Sequence, residues 1–155
     1  MHSFLAIFCL FVCLSWTEAK EVSQEFHKVQ GVNKTYFIYP EKRNANDASI
    51  LCGNNGLELL TINNDEETEE ITLEVVSARN FNETFWTSGY YTLEMNWVWG
   101  STNQPITYTN WGKGQPTDGI PNKDCILFTQ EDYEGTWINA DCQEEHVPIC
   151  EQVIY

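Results

Sequence analysis

The chain has 155 residues, enough for one ordinary domain. Hydrophobic residues make up 42% and charged residues 20%, a balance typical of a folded globular domain. Eight Lys and Arg against 23 Asp and Glu give a formal net charge of −15, whereas binding a nucleic-acid backbone requires clustered cations. Composition therefore excludes a nucleic-acid partner and disfavours adhesion to anionic lipid.

The N-terminal segment has the pattern of a secretory leader. Phe4 to Trp16 is a 13-residue, almost wholly apolar run, too short to span a bilayer, and the small residue Ala19 stands where cleavage would fall. A buried N-terminal strand or helix is the alternative. We assign 1–19 to a signal peptide, 20–32 to a loose polar arm and 33–152 to the domain. We therefore expect a secreted, extracellular product with no membrane span.

The first half of the domain predicts one strand and two helices. Tyr36 to Tyr39 is aromatic and β-branched and ends at a proline, which indicates a strand. Lys42 to Cys52 is predicted to be the first helix. Asn64 is predicted to cap the second helix, with Glu67 three residues on as a capping box requires. The acidic run that follows Asn64 lacks the mid-loop glycine and final glutamate of an EF-hand, so we interpret it as a solvated helix face.

The second half predicts short strands joined by long loops. Gly, Asn, Thr and Pro separate the apolar runs Trp97 to Trp99, Cys125 to Phe128 and Pro148 to Cys150. Helices followed by strands favour an α+β fold.

The cysteine count depends on the leader. Its removal takes Cys9 and Cys13 and leaves four cysteines, which in an oxidising compartment indicate two disulfides with three alternative pairings. Zinc is disfavoured because no C-x2-C pair occurs. Two sequons, at Asn33 and Asn82, predict N-glycosylation.

Several short motifs occur in a characteristic order: Leu60-Thr61-Ile62, Trp97-Val98-Trp99, Gly114-Gln115-Pro116, Gly135-Thr136-Trp137, Cys142 and Ile149-Cys150-Glu151. Over about residues 30–152 this order resembles the C-type lectin-like domain, in the short secreted form common in arthropods. The resemblance implies two helices flanking short antiparallel sheets, a long loop region, and disulfides Cys52–Cys150 and Cys125–Cys142.

Sugar-binding members of that family hold Ca²⁺ in a loop, and the resemblance maps the loop residue by residue. The family triplet becomes Gln115-Pro116-Thr117, closest to the galactose type. Lys123 stands where the family has Glu, Ile138 where it has Asn, and Asn139 where it has Asp. Since calcium favours several carboxylate oxygens, we expect a weak or absent primary calcium site. The alternative is that Asp141 shifts into the site.

The resemblance also implies auxiliary acids. Glu94, Asp118 and Asp124 fall where the family places further calcium ligands, and we hypothesise that the Lys123 ammonium replaces the ion among them. The alternative is three solvated loop acids. A peripheral calcium site is a further candidate, formed by Glu66 or Glu67 with Glu151.

The tryptophans at matching positions are expected in the core: Trp86, Trp97, Trp99 and Trp137. Aromatic residues nearer the loops are candidates for stacking on a pyranose: Tyr90, Tyr91 and Trp111.

Catalysis is not expected, because only His27 and His146 follow the leader and no H-E-x-x-H or G-x-S-x-G motif occurs.

Two function classes follow. The first is a secreted carbohydrate-recognition protein, galactose-leaning, acting in extracellular or innate recognition of glycans. The second is a calcium-independent lectin-like module that binds an extracellular protein and no sugar. Either would be a monomer or a non-covalent dimer, because no unpaired cysteine is left.

Overall fold

The computed structural model of the chain describes residues 26–76, 83–117, 124–130 and 134–153. The predicted signal peptide, Asn82, Asp118 and Lys123 lie outside these ranges. The strands are β1 His27–Gln30, β2 Lys34–Ile38, β3 Glu58–Leu59, β4 Phe85–Tyr91, β5 Trp97–Trp99, β6 Gln104–Pro105, β7 Cys125–Thr129, β8 Thr136–Ala140 and β9 Val147–Val153. The helices are α1 Ala45–Asn54 and α2 Asp65–Glu70, and a π-helical segment Ile71–Val76 follows α2.

Strands β1, β2 and β9 lie side by side in one part of the sheet. Strand β2 lies between β1 and β9, antiparallel to both, and β3 also pairs with β9. The prediction of a loose arm up to residue 32 is therefore wrong from His27 onward, since His27 to Gln30 pair with β2. The segment is polar because every second residue faces solvent, while Val29 packs against the core.

Strand β4 joins this part to the rest of the sheet. It pairs antiparallel with β5 and β7, and β7 continues into a hairpin with β8. With β9, however, β4 pairs parallel, at Phe85–Val147 and Trp86–Pro148. The sheet is thus mixed rather than antiparallel throughout, because apolar patterning identifies a strand without reporting the direction of its neighbour.

Helix α1 begins later than predicted because Asn44 caps it. The Asp47 N–H donates to Asn44 Oδ1 at 2.9 Å, so the helix starts at Ala45 rather than Lys42. Gly56, at φ +69°, follows the helix end in the left-handed region. The helix buries Ala48 and Leu51 against the sheet.

The start of α2 is confirmed and its continuation differs from an α-helix. The Glu67 N–H donates to Asn64 Oδ1 at 2.9 Å, as the capping box predicts. The Glu67 carboxylate instead accepts from the Asn63 N–H at 2.9 Å, one residue before the cap. After Glu70 the helix continues with π geometry. Within this segment the Thr72 hydroxyl donates to the Thr68 carbonyl at 2.7 Å.

Two apolar clusters hold the layers together. One contains Trp99 and Trp137, and the other lies under α1 and contains Trp86. These three indoles are buried as expected, whereas Trp97 is only partly buried. The expected disulfides Cys52–Cys150 and Cys125–Cys142 are present and close spans of 98 and 17 residues. In the chain-entropy model each contributes about 3–5 kcal/mol.

Candidate functional site

The loop 115–117 is held against strand β8 by one buried amide. Asn139 is only 4% exposed, and its Oδ1 accepts from the Thr117 N–H at 2.8 Å and the Thr117 hydroxyl at 3.0 Å. The Asn139 Nδ2 donates back to the Thr117 carbonyl at 3.1 Å. The peptide bond between Gln115 and Pro116 is cis. These hydrogen bonds hold Thr117 against strand β8.

The oxygens of this loop do not fit a primary calcium ion. An amide oxygen has two lone pairs, and Asn139 Oδ1 already accepts two hydrogen bonds, from the N–H and the hydroxyl of Thr117. Gln115 Oε1 faces the Asn139 N–H at 3.5 Å, and Ile138 carries no oxygen. Calcium takes six to eight oxygens, several of them carboxylate. Within the described ranges, no group of three His, Cys, Asp or Glu residues is arranged to hold a metal.

The alternative ligand Asp141 has a different role. Its Oδ1 accepts from the Gln143 N–H at 2.9 Å in the turn after β8. Strand β8 stays in register, with Asn139 opposite Ile126. The structure therefore keeps Asn139, and not Asp141, at the loop.

The auxiliary acids are partly described. Glu94 is exposed in the turn between β4 and β5, and Asp124 is exposed just before β7, where its carbonyl accepts from the Tyr91 N–H at 2.7 Å. Asp118 and Lys123 lie outside the described residues, so the proposed ammonium substitution at Lys123 remains a prediction.

At the peripheral site, a lysine that sequence reasoning missed lies between two of the acids. Lys34 is 6% exposed, and its Nζ lies 3.0 Å from Glu67 Oε2 and 3.0 Å from Glu151 Oε2. The ammonium also donates to the Thr61 carbonyl at 3.0 Å and the Thr61 hydroxyl at 2.9 Å. We call Lys34, Thr61, Glu67 and Glu151 the lysine cluster. Glu66, by contrast, is exposed.

Strand register places these charges together. Lys34 is opposite Val153 and Tyr36 is opposite Glu151, so Lys34 and Glu151 are diagonal neighbours on one face. The first turn of α2 adds Glu67, which the cap at Asn64 orients. The acidic run of α2 is therefore not wholly solvated, and Glu67 faces β2.

Burial sets the electrostatics of the lysine cluster. Burial raises the pKa of the Glu151 carboxyl, and the Lys34 ammonium partly offsets this. Glu151 Oε1 accepts from the Thr61 hydroxyl at 2.7 Å, while its Oε2 makes an ion pair with Lys34 without hydrogen-bond alignment. Burial, followed by the charge of Glu70, also raises the pKa of the Tyr36 hydroxyl. A calcium ion at this position would have to displace the ammonium.

A ladder of partly exposed aromatic rings runs from β4 to the loop region. The ring centroids of Tyr91 and Trp97 are 5.0 Å apart, and those of Trp97 and Trp111 are 5.1 Å apart. Trp111 in turn meets the buried Trp137 at 5.7 Å. Tyr90 lies on the opposite face of β4, since successive strand residues alternate. The three candidate stacking residues are thus divided between two surfaces.

Comparisons with known proteins agree with this architecture. A protein-family model for the lectin C-type domain matches residues 41–152. The chain belongs to the C-type lectin domain family. It is 26% identical to human E-selectin over 120 residues, 75% of this chain and 19% of that protein. It is 27% identical to collectin-10 of Xenopus tropicalis over 118 residues, 76% of this chain and 42% of that protein. The chain thus spans less than half the length of these two curated relatives.

A solved structure is similar over most of the fold. The carbohydrate-recognition domain of the mouse scavenger receptor C-type lectin has a TM-score of 0.71 and 28% identity, over 83% of this chain and 97% of that one. None of the helices in the described part of the chain is long and apolar enough to cross a membrane.

Proposed function

We propose that this chain is a secreted carbohydrate-recognition protein, and not an enzyme, that binds galactose-type sugars at the 115–117 loop without a primary calcium ion. Its setting would be extracellular or innate recognition of glycans. Family membership and similarity to a carbohydrate-recognition domain support the glycan-binding class. The observation that carries the calcium-independent part is the bonding of Asn139 to Thr117.

The loop offers neutral hydrogen-bonding groups for sugar hydroxyls. Gln115 and Thr117 are both partly exposed residues, and the Thr117 hydroxyl oxygen keeps acceptor capacity after donating to Asn139. Because the bonds to Asn139 already fix the loop, these groups are preorganised before a ligand arrives. A sugar would therefore be held by direct hydrogen bonds.

Trp111 lies four residues before Gln115 and adds an apolar surface beside the loop. It is partly exposed, and its ring packs against the rings of Trp97 and Trp137. The Gly112 N–H donates to the Trp137 carbonyl at 2.9 Å, which ties this segment to β8. An aromatic ring fixed in this way suits the apolar face of a pyranose.

A glycan array with and without EDTA tests the proposal. We expect binding to galactose-terminated glycans that EDTA leaves unchanged and that Thr117→Val weakens. Thr107→Val is the control for the same substitution elsewhere, because Thr107 is exposed and lies outside the loop. Binding that EDTA abolishes would contradict calcium independence, and binding that survives Thr117→Val in full would contradict the loop assignment.

One observation favours the second class, a protein-binding module. The side chains of Leu93 and Met95 are 104% and 76% exposed at the tip of the β4–β5 hairpin. Exposed apolar side chains of this size often mark interaction surfaces. An array with no bound glycan in either buffer would favour this function over the first.

A further inference from the structure

A cleft of about 330 Å³ opens between helix α1 and strands β4 and β7, on the face of β4 that carries Tyr90. Its volume lies at the lower end of the range of small-molecule sites, roughly 300–1,000 Å³. The lining residues are mostly small or polar, and they include Asn46, Ser49, Ser88, Tyr90, Ser101 and Asp124.

The cleft exists because the apolar side chains between α1 and the sheet do not fill all of the space under the helix. Trp86 fills the space between β4 and the helix, but Ser88, the next residue on that face of β4, carries only a hydroxymethyl group. Ala45 and Ser49 face the same space from α1. Protein cores are normally packed with few voids, and larger apolar side chains at positions 49 and 88 would close this one.

Tyr90 forms an aromatic wall that a glycine supports. A Cβ atom on Gly100 would lie 3.0 Å from the Ser88 carbonyl and 3.3 Å from the Tyr90 ring. The ring therefore rests against the backbone of Gly100, and it remains 37% exposed. A ring supported on one side and open on the other suits stacking on an apolar ligand face.

The rim of the cleft is polar, with hydroxyl, amide and carboxylate groups. The hydroxyls of Ser88 and Ser101 lie 2.9 Å apart and share a hydrogen bond. Asn46 and Ser49 approach from the exposed side of α1, and the exposed Asp124 comes from the start of β7. No Lys, Arg or His is among the described residues that line the cleft. With one carboxylate here and a net charge of −15, the site disfavours anions.

We propose that this cleft is a second binding site, specific for a neutral monosaccharide unit and independent of calcium. Tyr90 would stack on the apolar face of the sugar, while Asp124, Ser49 and Ser101 bond its hydroxyls. The proposal does not depend on the 115–117 loop, which lies on other elements of the fold.

Amide chemical shifts measured by NMR on the full secreted protein in EDTA test the proposal. The probes are methyl galactoside, methyl mannoside and N-acetylglucosamine at millimolar concentrations, with sialic acid as the acidic comparison and choline as a cation. We expect at least one neutral sugar to shift the amides of Ser88, Tyr90 and Ser101, and sialic acid to leave them unchanged. Shifts at Gln115 and Thr117 report separately on the loop.

Two variants distinguish the cleft from a general surface effect. Ser49→Trp fills the cleft from an exposed helix position and should lower sugar affinity at the cleft at least about tenfold. Ile50→Trp is the matched control, because Ile50 is exposed on the same helix but does not line the cleft. Asp124→Asn should lower the affinity without affecting folding.

Several results would overturn the proposal. These are the absence of cleft shifts with all three sugars, a response to choline alone, or equal affinity in Ser49→Trp and Ile50→Trp. If Ser49→Trp fails to fold, Gly100→Ala replaces it, because the added methyl meets the Ser88 carbonyl and the Tyr90 ring; unchanged sugar affinity at the cleft in that variant would likewise overturn the proposal.

Discussion

The lysine cluster and the 115–117 loop are two places where the family resemblance implies calcium, and they are stabilised in different ways. In the lysine cluster the carboxylates of Glu67 and Glu151 remain, and a buried ammonium lies between them. In the loop, the described residues carry no carboxylate, and neutral hydrogen bonds join Thr117 to Asn139. Buried charges require a counter-charge, whereas neutral groups require only hydrogen-bond partners. The two regions should therefore respond differently to mutation and to calcium.

Loss of the ammonium should give the largest effect on stability. Lys34→Met leaves Glu67 and Glu151 without their cation, and breaking a buried pair in this way costs about 3–5 kcal/mol. Denaturant unfolding measures the change. The control is Lys42→Met, because Lys42 pairs with Glu83 at the surface, where screening limits the loss to about 0–1 kcal/mol. Equal losses in the two variants would contradict the role of Lys34.

Calcium should rescue a smaller lysine variant and not the native chain. In Lys34→Ser the vacated position is surrounded by oxygens of Glu67, Glu151 and Thr61, which suit calcium. We expect added calcium to raise the melting temperature of the variant, since an ion that binds only the folded state stabilises it. Magnesium is the comparison, because it demands tighter octahedral geometry. A rise of equal size in the native protein would argue against an internal ammonium substitute.

Truncation in the loop should cost less. Asn139→Ala leaves the Thr117 N–H and carbonyl without their partner, and because Thr117 is partly exposed the cost should lie toward the lower end of the roughly 1–3 kcal/mol of an unsatisfied buried group. Unfolding in calcium and in EDTA should give the same loss, because the native bonds involve no ion. A loss confined to calcium-containing buffer would show that Asn139 acts as a ligand.

Of these predictions, the change of stability with pH should be the smallest. Because the pKa of Glu151 is raised in the folded state, the folded chain binds more protons than the unfolded chain in the window above the ordinary value of 4.5. This group therefore stabilises the fold at the acidic end of the window, and the contribution is lost as pH rises through the folded pKa. Melting temperatures of the native chain and Glu151→Gln should differ in slope there. Parallel curves would contradict the raised pKa.

Helix caps and individual strands can be predicted from the sequence, because residues close together in the chain determine them. The Asn64 cap forms as expected, because a cap needs only a side chain and an amide three residues away. The strand around Tyr36 and the apolar runs at Trp97 and Cys125 also form, since alternation and β-branching act locally. Helix α1 starts three residues later than its apolar pattern predicts, because Asn44 caps it as Asn64 caps α2.

The family resemblance, the fold class and the residue types of the 115–117 loop can be read from the sequence, because ordered landmarks and residue types are properties of the chain alone. Three features are visible only in the folded chain: Lys34 lies between Glu67 and Glu151, β4 runs parallel to β9, and a cleft lies beside Tyr90. Each of these joins residues that are far apart in the chain. Such contacts depend on strand register and on the space left between packed layers, and no local pattern encodes either.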